Sequence, residues 1–481
     1  MNTAPKLLVA GKWVTTGVST NVVNPYDRSV LGTVPVATAA EVAAALTAAE
    51  NGAKVMRSLP AHHRSRILYR AADLIEKNAE EFLRLIVAEA GKPVKFAHIE
   101  VSRAVETVRF AAEEAKRIAG ETVPMDALPG SEKRRGFYIR VPRGVVVAIT
   151  PFNFPLNLVA HKVAPALAAG NAVVLKPATK TPFCALKLAE TLLESGLPPE
   201  ALNVLVGPGN SVGEMLVADP RVRMITFTGS AAVGERIKKT AGLKPVALEL
   251  GSNSGAIVDE TAPLDRAVAR CVLGAFAYSG QVCNHTQRLI IHQAIAPEFI
   301  ERFVAATSRL IIGDPQKPET DIGPLIDQAA IERTTGLIEQ ACATGARVLF
   351  GGKAEGTLFS PTILTAVTPE MRVVNEETFA PIVTIETAPD FNRLLQLYNQ
   401  GSTAGTYAYG LCAGVFTSDF ARAFQAAEEL EVGAVYINDS ATFRVDHQPY
   451  GGVRDSGSGR EGPKFAIQEM TEIRFVSFNL D

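Results

Sequence analysis

Apolar and polar residues follow two different periods along this 481-residue chain. In residues 60–120 the apolar residues recur at spacings of three and four, which predicts amphipathic helices. From residue 145 to residue 250, short β-branched segments alternate with helical ones. The predicted strands are 145–149, 172–175, 203–206, 224–227 and 246–250, and the predicted helices between them are 154–169, 184–195, 212–218 and 231–241. Strands that are apolar on both faces and joined by helices predict a parallel, doubly wound α/β sheet.

A second and less regular α/β alternation begins after residue 251. Its predicted helices are 264–278, 297–310, 329–344 and 420–430, and its predicted strands are 289–292, 347–350, 382–384 and 434–437. Residues 125–138 combine Pro129, Gly130 and a charged run with the alternating FYIRV, which predicts a protruding hairpin. A final strand-like segment, FVSF, lies close to the C-terminus.

The composition is that of a globular protein and excludes several function classes. Apolar residues make up 47% of the chain and charged residues 20%, which excludes disorder and collagen-like architectures. Lysine and arginine total 48 against 50 aspartate and glutamate residues, with a formal charge of -2 and no basic block. We therefore expect neither nucleic acid nor a membrane as a partner.

Hydrophobic run lengths and cysteine usage indicate a soluble, cytoplasmic protein. No apolar run approaches the roughly 20 residues of a membrane span, and the apolar core of residues 7–10 is too short for a signal peptide. The five cysteines are scattered and form no C-x-x-C pair, which argues against a disulfide scaffold and a zinc ribbon. The seven histidines show no metal-ligand spacing, so no metal is expected.

Two glycine-containing turns follow predicted strands, at the sheet edge where doubly wound folds bind their ligands. The turn GPGNSVG is one residue longer than the dinucleotide fingerprint, and its Gly209-x-Ser211-x-Gly213 spacing imitates the nucleophile elbow of hydrolases. The turn TGSAAVGER has the glycine spacing of a phosphate loop, but Glu235 stands where the lysine would be, which excludes a Walker-type site. Both turns could contact cofactor phosphates, or they could be ordinary turns between strand and helix.

Three residues outside these turns carry candidate chemistry, each with a structural alternative. Asn153 precedes a predicted helix, which favours a helix cap over an amide that stabilises an oxyanion. Glu249 ends an apolar strand, where burial would raise its pKa and suit a general base, unless an ion pair makes it structural. Cys283 is a nucleophile only if a nearby dipole or base favours its thiolate, and otherwise a small buried hydrophobe like the remaining cysteines. A protease pair of Cys283 and His285 is discounted, because side chains two residues apart in an extended segment rarely reach each other.

Taken in order, these motifs resemble the aldehyde dehydrogenase superfamily nearly from end to end. The matching segments are GKWV, NPYDRSVLGTVP, TPFNFPLN, VLKPATKTP, FTGSAAVG, LELG, GQVC, NEETFAP and PYGGVRDSGSGREG. The resemblance implies an α/β fold with a doubly wound, Rossmann-like cofactor domain over residues 1–120 and 143–250. It also implies a second α/β catalytic domain over 251–460 and a small β oligomerisation domain from 121–142 and 461–481. A homodimer or homotetramer is expected.

The resemblance also implies a chemical role for each candidate residue. Cys283 would attack an aldehyde to give a thiohemiacetal, and Asn153 with the Cys283 backbone N–H would bind its oxyanion. Hydride would pass to NAD or NADP, and Glu249 would activate the water that releases the acid from the thioester. The implied cofactor-binding residues are Thr150, Pro151, Phe152, Lys176, Thr179, Gly209, Gly229, Ser230, Val233, Leu250, Glu377 and Phe379.

Four positions bear on the choice of cofactor and substrate. NAD-preferring relatives often carry glutamate where this chain has Thr179, so a 2′-phosphate is not repelled and the choice between NAD and NADP stays open. Arg103 and Arg444 resemble the anion-binding arginines of relatives that act on phosphorylated or carboxylated aldehydes. Tyr450 replaces the usual phenylalanine of PFGG and adds a hydroxyl near the pocket mouth. These residues predict a short polar or anionic aldehyde, such as a semialdehyde, lactaldehyde or a phosphorylated aldehyde. The structural alternative pairs Arg103 with helix carboxylates and leaves Arg444 solvated.

Three other functions compete with aldehyde oxidation. A thiol or serine hydrolase that uses Cys283 or Ser211 would turn over without nicotinamide. A catalytically retired structural protein need not keep Asn153, Glu249 and Cys283 together. An acylating enzyme would pass the thioester to coenzyme A, and the presence of Glu249 as a base for hydrolysis argues against it.

Overall fold

Residues 6–480 are described by a computed structural model, in which the apolar segments form two large sheets with helices packed on them. The strands are β1 Leu7–Val9, β2 Lys12–Val14, β3 Ser19–Val23, β4 Val30–Pro35, β5 Thr122–Val123, β6 Arg134–Pro142, β7 Val145–Ile149, β8 Ala172–Lys176, β9 Leu202–Val204, β10 Met224–Thr228, β11 Val246–Glu249, β12 Gly255–Val258, β13 Arg288–His292, β14 Arg347–Phe350, β15 Ala354–Glu355, β16 Leu358–Phe359, β17 Thr362–Thr365, β18 Ile382–Ala388, β19 Cys412–Phe416, β20 Ala434–Ile437, β21 Gly457–Ser458 and β22 Thr471–Asn479. The helices are α1 Ala39–Ser58, α2 Ala61–Lys77, α3 Ala79–Ala90, α4 Val94–Glu114, α5 Asn157–Ala168, α6 Phe183–Glu194, α7 Glu214–Ala218, α8 Ala231–Ala241, α9 Leu264–Phe276, α10 Ala296–Thr307, α11 Gln328–Ala343, α12 Arg372–Asn375, α13 Phe391–Thr403, α14 Phe420–Glu429 and α15 Pro463–Glu469.

The first sheet has the strand order β2-β1-β9-β8-β7-β10-β11-β21. Its central strands, from β9 to β11, are parallel and coincide with the strands predicted from the sequence. The sheet also has edge strands that the sequence did not predict, since β1 pairs antiparallel with β9 and β21 pairs antiparallel with β11. These edge strands are only two or three residues long, too short to show an apolar period. One hydrophobic core joins this sheet to helices α1 to α8.

The second sheet has the order β14-β17-β18-β13-β12-β19-β20 and is parallel except for the β14–β17 pair. Helices α9 and α10 pack on one face, and α13 and α14 pack on the other. The sequence patterns did not predict β12, β17, β19 or α13. The three missed strands are only four or five residues long and almost entirely buried, so they lack the alternation that identifies a strand, and β12 and β19 also contain glycine, which lowers their strand propensity.

The smallest of the three larger sheets has the order β22-β6-β5 and joins the C-terminal strand to the predicted hairpin region. β22 pairs antiparallel with β6 from Thr471 opposite Pro142 to Asn479 opposite Arg134. The region of residues 125–138 does form a hairpin, since β5 and β6 pair antiparallel around it. Where the domains divide stays a prediction. No helix within residues 6–480 is both long and apolar enough to cross a membrane.

Candidate active site

Cys283 lies in the loop between α9 and β13, directly after a tight turn. Tyr278, Ser279 and Gly280 in this turn all have positive φ, at 49°, 57° and 69°. The predicted helix of residues 264–278 therefore ends early, at Phe276, because a left-handed backbone cannot continue a right-handed helix. Only glycine fits at position 280, since a Cβ there would lie 2.1 Å from the Ala380 carbonyl oxygen. The turn fixes the path of the loop that carries Cys283.

Asn153 reaches this loop from the end of β7. Its Nδ2 donates a hydrogen bond of 2.9 Å to the carbonyl oxygen of Gln281. The expectation that Asn153 caps the following helix is wrong, because Leu156 and Asn157 donate their backbone N–H groups to Glu100 Oε1 at 3.0 and 3.2 Å. A carboxylate from α4 thus performs the capping. An amide nitrogen carries two hydrogens, so Asn153 keeps one further donor beside the Cys283 loop.

The Cys283 thiol faces a single hydroxyl. Its Sγ lies 3.0 Å from Tyr450 Oη. Burial raises the pKa of the thiol to about 11, while the hydrogen bond to Tyr450 and the charge of Arg444 act in the opposite direction. The nearby His285 is directed elsewhere, with Nε2 2.8 Å from the Ala275 carbonyl oxygen. Cys184, Cys271 and Cys412 are buried as expected, whereas Cys342, expected to be buried, is exposed on α11.

Glu249 ends β11 with its carboxyl group buried. Its Oε2 has no hydrogen-bond partner, and no lysine or arginine of residues 6–480 forms an ion pair with it. Burial raises its pKa well above the usual value, and the neighbouring Glu461 acts in the same direction. The alternative of a structural ion pair is therefore wrong. A buried carboxyl with a raised pKa is suited to accept a proton near neutral pH.

Arg444 is buried against Tyr450, with a side chain only 7% exposed. Its guanidinium carbon lies 3.8 Å from the centre of the Tyr450 ring, and its Nη2 donates to Glu461 Oε2 at 2.8 Å. Lys162 Nζ lies 3.2 Å from the other oxygen of Glu461. Burial acts to raise the pKa of Glu461, but Lys162 and Arg444 lower it to about 2. The alternative of a solvated Arg444 is wrong, and its buried Nε has no hydrogen-bond partner within the described chain.

Arg103 is held by a carboxylate from a distant loop and not by its own helix. Its Nε and Nη2 donate to Asp446 at 3.0 and 2.8 Å, a bidentate arrangement. Asp446 also accepts from Asn157 Nδ2 at 3.1 Å and lies 2.9 Å from His161 Nε2. The structural alternative, in which Arg103 pairs with helix carboxylates, is therefore wrong about the partner, which is Asp446 in a loop.

One pocket brings together the predicted catalytic cysteine and the predicted substrate residues, Cys283, Tyr450, Arg103 and Arg444. Most of its remaining wall is apolar, and each of its cations has a carboxylate partner. The pairs are Lys92–Glu100, Arg103–Asp446, Arg270–Asp439 and Arg444–Glu461. Sequence patterns did not identify Lys92, Arg270 or any of the four partner carboxylates, because these are ordinary helix or loop residues that only the fold brings together.

A second crevice lies at the carboxyl ends of the first sheet. Its lining includes Thr150, Pro151, Lys176, Gly209, Gly229, Ser230 and Val233 from the predicted cofactor set, together with Glu214 and Arg236, which were not predicted. Burial lowers the pKa of Lys176 to about 8, and its Nζ contacts only the Pro177 carbonyl oxygen, at 3.2 Å. Ser230 makes no side-chain cap at the start of α8, so the first N–H groups of that helix stay available. A lysine and an uncapped helix N-terminus fit the phosphates and ribose of a dinucleotide.

The other predicted cofactor residues have separate surroundings. Thr179 Oγ1 donates to the Gly207 carbonyl oxygen at 2.8 Å. The rings of Phe152 and Phe379 meet edge to face, with centroids 5.7 Å apart. Burial raises the pKa of Glu377 to about 7, and its Oε1 accepts from the Ser252 backbone N–H at 3.1 Å. Leu250 packs closely on Gly234, since a Cβ added at residue 234 would lie 2.5 Å from Leu250 Cδ2.

The fold does not turn the Gly209-x-Ser211-x-Gly213 spacing into a nucleophile elbow. Ser211 lies in an exposed turn, and its hydroxyl contacts only the Pro208 carbonyl oxygen, at 3.4 Å. Within residues 6–480 no group of three His, Cys, Asp or Glu side chains could hold a metal ion.

Comparison with known proteins agrees with this geometry. Residues 13–476 match the model of the aldehyde dehydrogenase family. The chain belongs to this family. It is 45% identical to 3-sulfolactaldehyde dehydrogenase of Priestia megaterium over 98% of both chains. It is 46% identical to aspartate-semialdehyde dehydrogenase 1 of Pseudomonas canavaninivorans over 95% of this chain and 96% of that one.

A solved structure of the family has the same fold. The NADP-dependent glyceraldehyde-3-phosphate dehydrogenase of Bacillus halodurans, complexed with NADP, superimposes with a TM-score of 0.95 at 39% identity over 100% of both chains. The aldehyde dehydrogenase fold inferred from the sequence motifs is thus confirmed. The protein is an oxidoreductase that acts on aldehydes with NAD or NADP.

Proposed function

We propose that this aldehyde dehydrogenase oxidises a short polar or anionic aldehyde to the carboxylic acid and hydrolyses its own thioester intermediate. The observation that carries the substrate proposal is Arg444, a guanidinium that lines the same pocket as Cys283. A guanidinium in the pocket wall would bind the anionic group of a short aldehyde through charge-assisted hydrogen bonds. The named relatives act on sulfolactaldehyde and on aspartate semialdehyde, both short and anionic.

The proposed reaction begins at Cys283. Its thiolate forms a bond to the aldehyde carbon, and the carbonyl electron pair moves to the oxygen, where Asn153 Nδ2 and the Cys283 N–H donate hydrogen bonds. When bound, NAD(P)+ supplies the acceptor for the hydride that leaves the substrate carbon. The thioester is then attacked by water, whose proton passes to Glu249 while the thiolate leaves. Lys176 and the N-terminus of α8 would hold the dinucleotide.

Residue positions also support a short substrate. The aldehyde carbon must reach Cys283 Sγ. The Tyr450 hydroxyl lies 3.0 Å from this sulfur, and the ring of the same tyrosine stacks on Arg444. An anionic group at Arg444 is therefore separated from the reacting carbon by about the width of one ring. Because every cation of the pocket is already paired, the substrate anion shares Arg444 with Glu461 instead of meeting a free charge.

Replacement of Arg444 by glutamine tests the substrate class. Glutamine keeps a donor for Glu461, and Lys162 still compensates that carboxylate. A hydrogen bond to a charged group contributes about 1.5–3 kcal/mol, so kcat/KM for succinate semialdehyde falls about tenfold or more relative to that for propionaldehyde. The measurement is reduced nicotinamide formed with each aldehyde. Arg422→Gln is the control, since Arg422 is paired with Asp259 and lies outside the pocket. An equal loss with both aldehydes contradicts an anionic substrate.

The proposed assembly is a homodimer or homotetramer that uses the β22-β6-β5 sheet. Ile473, Phe475 and Phe478 of β22 are between half and two thirds exposed, which is unusual for large apolar side chains on one strand. A second copy of the chain would cover them.

A further inference from the structure

Tyr450 is the one side chain whose polar atom lies within hydrogen-bond distance of the Cys283 sulfur in the described chain. We propose that Tyr450 is a catalytic residue that donates its phenol hydrogen to the Cys283 thiolate and so increases the fraction of ionised nucleophile. This inference rests on the proposed function in one respect, the role of Cys283 as the nucleophile. It assigns to Tyr450 a function beyond lining the substrate pocket.

The fold holds the phenol firmly in place. Tyr450 is 2% exposed. Its backbone N–H donates to the Glu461 carbonyl oxygen at 3.1 Å, and the Glu461 backbone N–H donates to the Tyr450 carbonyl oxygen at 2.7 Å. On the ring face lies Arg444, which the Glu461 side chain holds at 2.8 Å. The same residue, Glu461, therefore positions both the backbone of Tyr450 and the cation on its ring.

The hydrogen bond favours the thiolate over the thiol for a simple reason. In the neutral pair, either the thiol or the phenol can donate, and both bonds are weak. After ionisation the sulfur can only accept, and a bond to an ionised acceptor is roughly twice as strong as a neutral one. Burial raises the pKa of Tyr450 well above its usual value, which keeps the phenol protonated as a donor at neutral pH. The cation on the ring face attracts the ring electrons and strengthens the O–H dipole.

The other charged and titratable groups around the sulfur do not take this role. Glu377 and Glu461 are carboxylates that disfavour the thiolate, and Cys412 behind Tyr450 is itself a buried thiol. Arg444 favours the thiolate only through its charge, since it makes no hydrogen bond to the sulfur. The further cations of the pocket, Lys92, Arg103 and Arg270, are each paired with a carboxylate.

The pH dependence of Cys283 alkylation in Tyr450→Phe tests the proposal. Phenylalanine preserves the ring and its stack on Arg444 and removes only the hydroxyl. We expect the apparent thiol pKa to rise by about one unit, so that the rate with iodoacetamide falls about tenfold at every pH below the wild-type pKa, while the rate constant of the fully ionised thiol stays nearly unchanged. Peptide mapping identifies the alkylated residue, and a Cys342→Ser background removes the exposed thiol.

Tyr436→Phe is the matched control. Tyr436 is a neighbouring tyrosine whose hydroxyl accepts from Gln448 Nε2 at 2.7 Å and does not contact Cys283. This variant should keep the wild-type alkylation profile. A Tyr450→Phe profile that superimposes on the wild type overturns the proposal and leaves Tyr450 a packing residue. A profile with an unchanged pKa, in which the rate constant of the fully ionised thiol falls by the same factor as the rate at pH 7, overturns it as well. Persistent dehydrogenase activity in Cys283→Ala would instead overturn the proposed function, so the two failures are distinguishable.

Discussion

The proposed substrate pocket and the proposed cofactor crevice are built from different parts of the chain. The pocket around Cys283 is formed by side chains, with cations held by carboxylates from distant segments, such as Arg103 by Asp446 and Arg444 by Glu461. The crevice at the first sheet is formed by the turns after strands and by the start of α8. Its buried cation, Lys176, has no carboxylate within ion-pair distance among residues 6–480.

This difference matches what each region is proposed to recognise. The phosphates and ribose of a dinucleotide are constant, so backbone N–H groups and one lysine would suffice to bind them. The aldehyde varies between relatives, and its recognition and activation depend on side chains that the fold can exchange. The paired charges also keep the pocket neutral before substrate enters. Substitutions in the pocket should therefore change the chemistry, and substitutions in the crevice should change only the affinity for the cofactor.

The largest expected effect is that of Glu249→Gln, at the end of β11 close to Glu461. Without a base to accept the proton of water, the thioester accumulates, so the steady-state rate falls by about 10²–10⁴. A first equivalent of reduced nicotinamide should still form rapidly, since attack by Cys283 and hydride transfer do not use Glu249. Rapid-mixing absorbance measurements separate the two phases. Cys283→Ala should lack the burst, and undiminished turnover of Glu249→Gln would exclude its role as the base.

Features that depend on local sequence were predicted, and features that depend on contacts between distant segments were not. The central strands of the first sheet were predicted because they are buried on both faces and rich in β-branched residues. Cys283, Glu249 and Asn153 were named because local motifs contain them, and their roles stay predictions. Glu461 and Asp446 were missed because their function depends on partners far away in the chain. Arg103, for example, is separated from Asp446 by 343 positions, and no local pattern records such a pair.

The second effect, in the crevice, is that of Lys176→Met. Removal of the ammonium group takes away a charge-assisted hydrogen bond, which should raise the KM for NAD and NADP about 10- to 100-fold and leave kcat within about threefold. Saturation curves for both cofactors give these values. Lys180→Met is the control, because the exposed Lys180 is paired with Asp327 and does not line the crevice. A fall in kcat with an unchanged KM would show that the crevice contributes to chemistry after all.

The smallest expected effect is on thermal stability and again concerns Glu249, the buried carboxyl without a counter-ion. Its pKa is raised in the folded protein by burial, so folding favours the protonated form. Its contribution to stability is complete below the unfolded pKa, near 4.5, and is lost as the pH rises through the folded value. Glutamine stays neutral at both pH values. The Tm of Glu249→Gln minus that of the wild type should therefore be larger at pH 8 than at pH 5, by on the order of 1–3 °C.

Cys283→Ala is the control for this measurement. Burial raises the pKa of the Cys283 thiol to about 11, so it does not ionise between pH 5 and pH 8, and the difference in Tm from the wild type should be equal at both values. If the difference in Tm between the wild type and Glu249→Gln is also the same at pH 5 and pH 8, the Glu249 carboxyl is solvated when it is ionised. Glu249 would then tolerate an unpaired charge as Lys176 in the crevice does, and the contrast between the two regions would rest on the paired arginines alone.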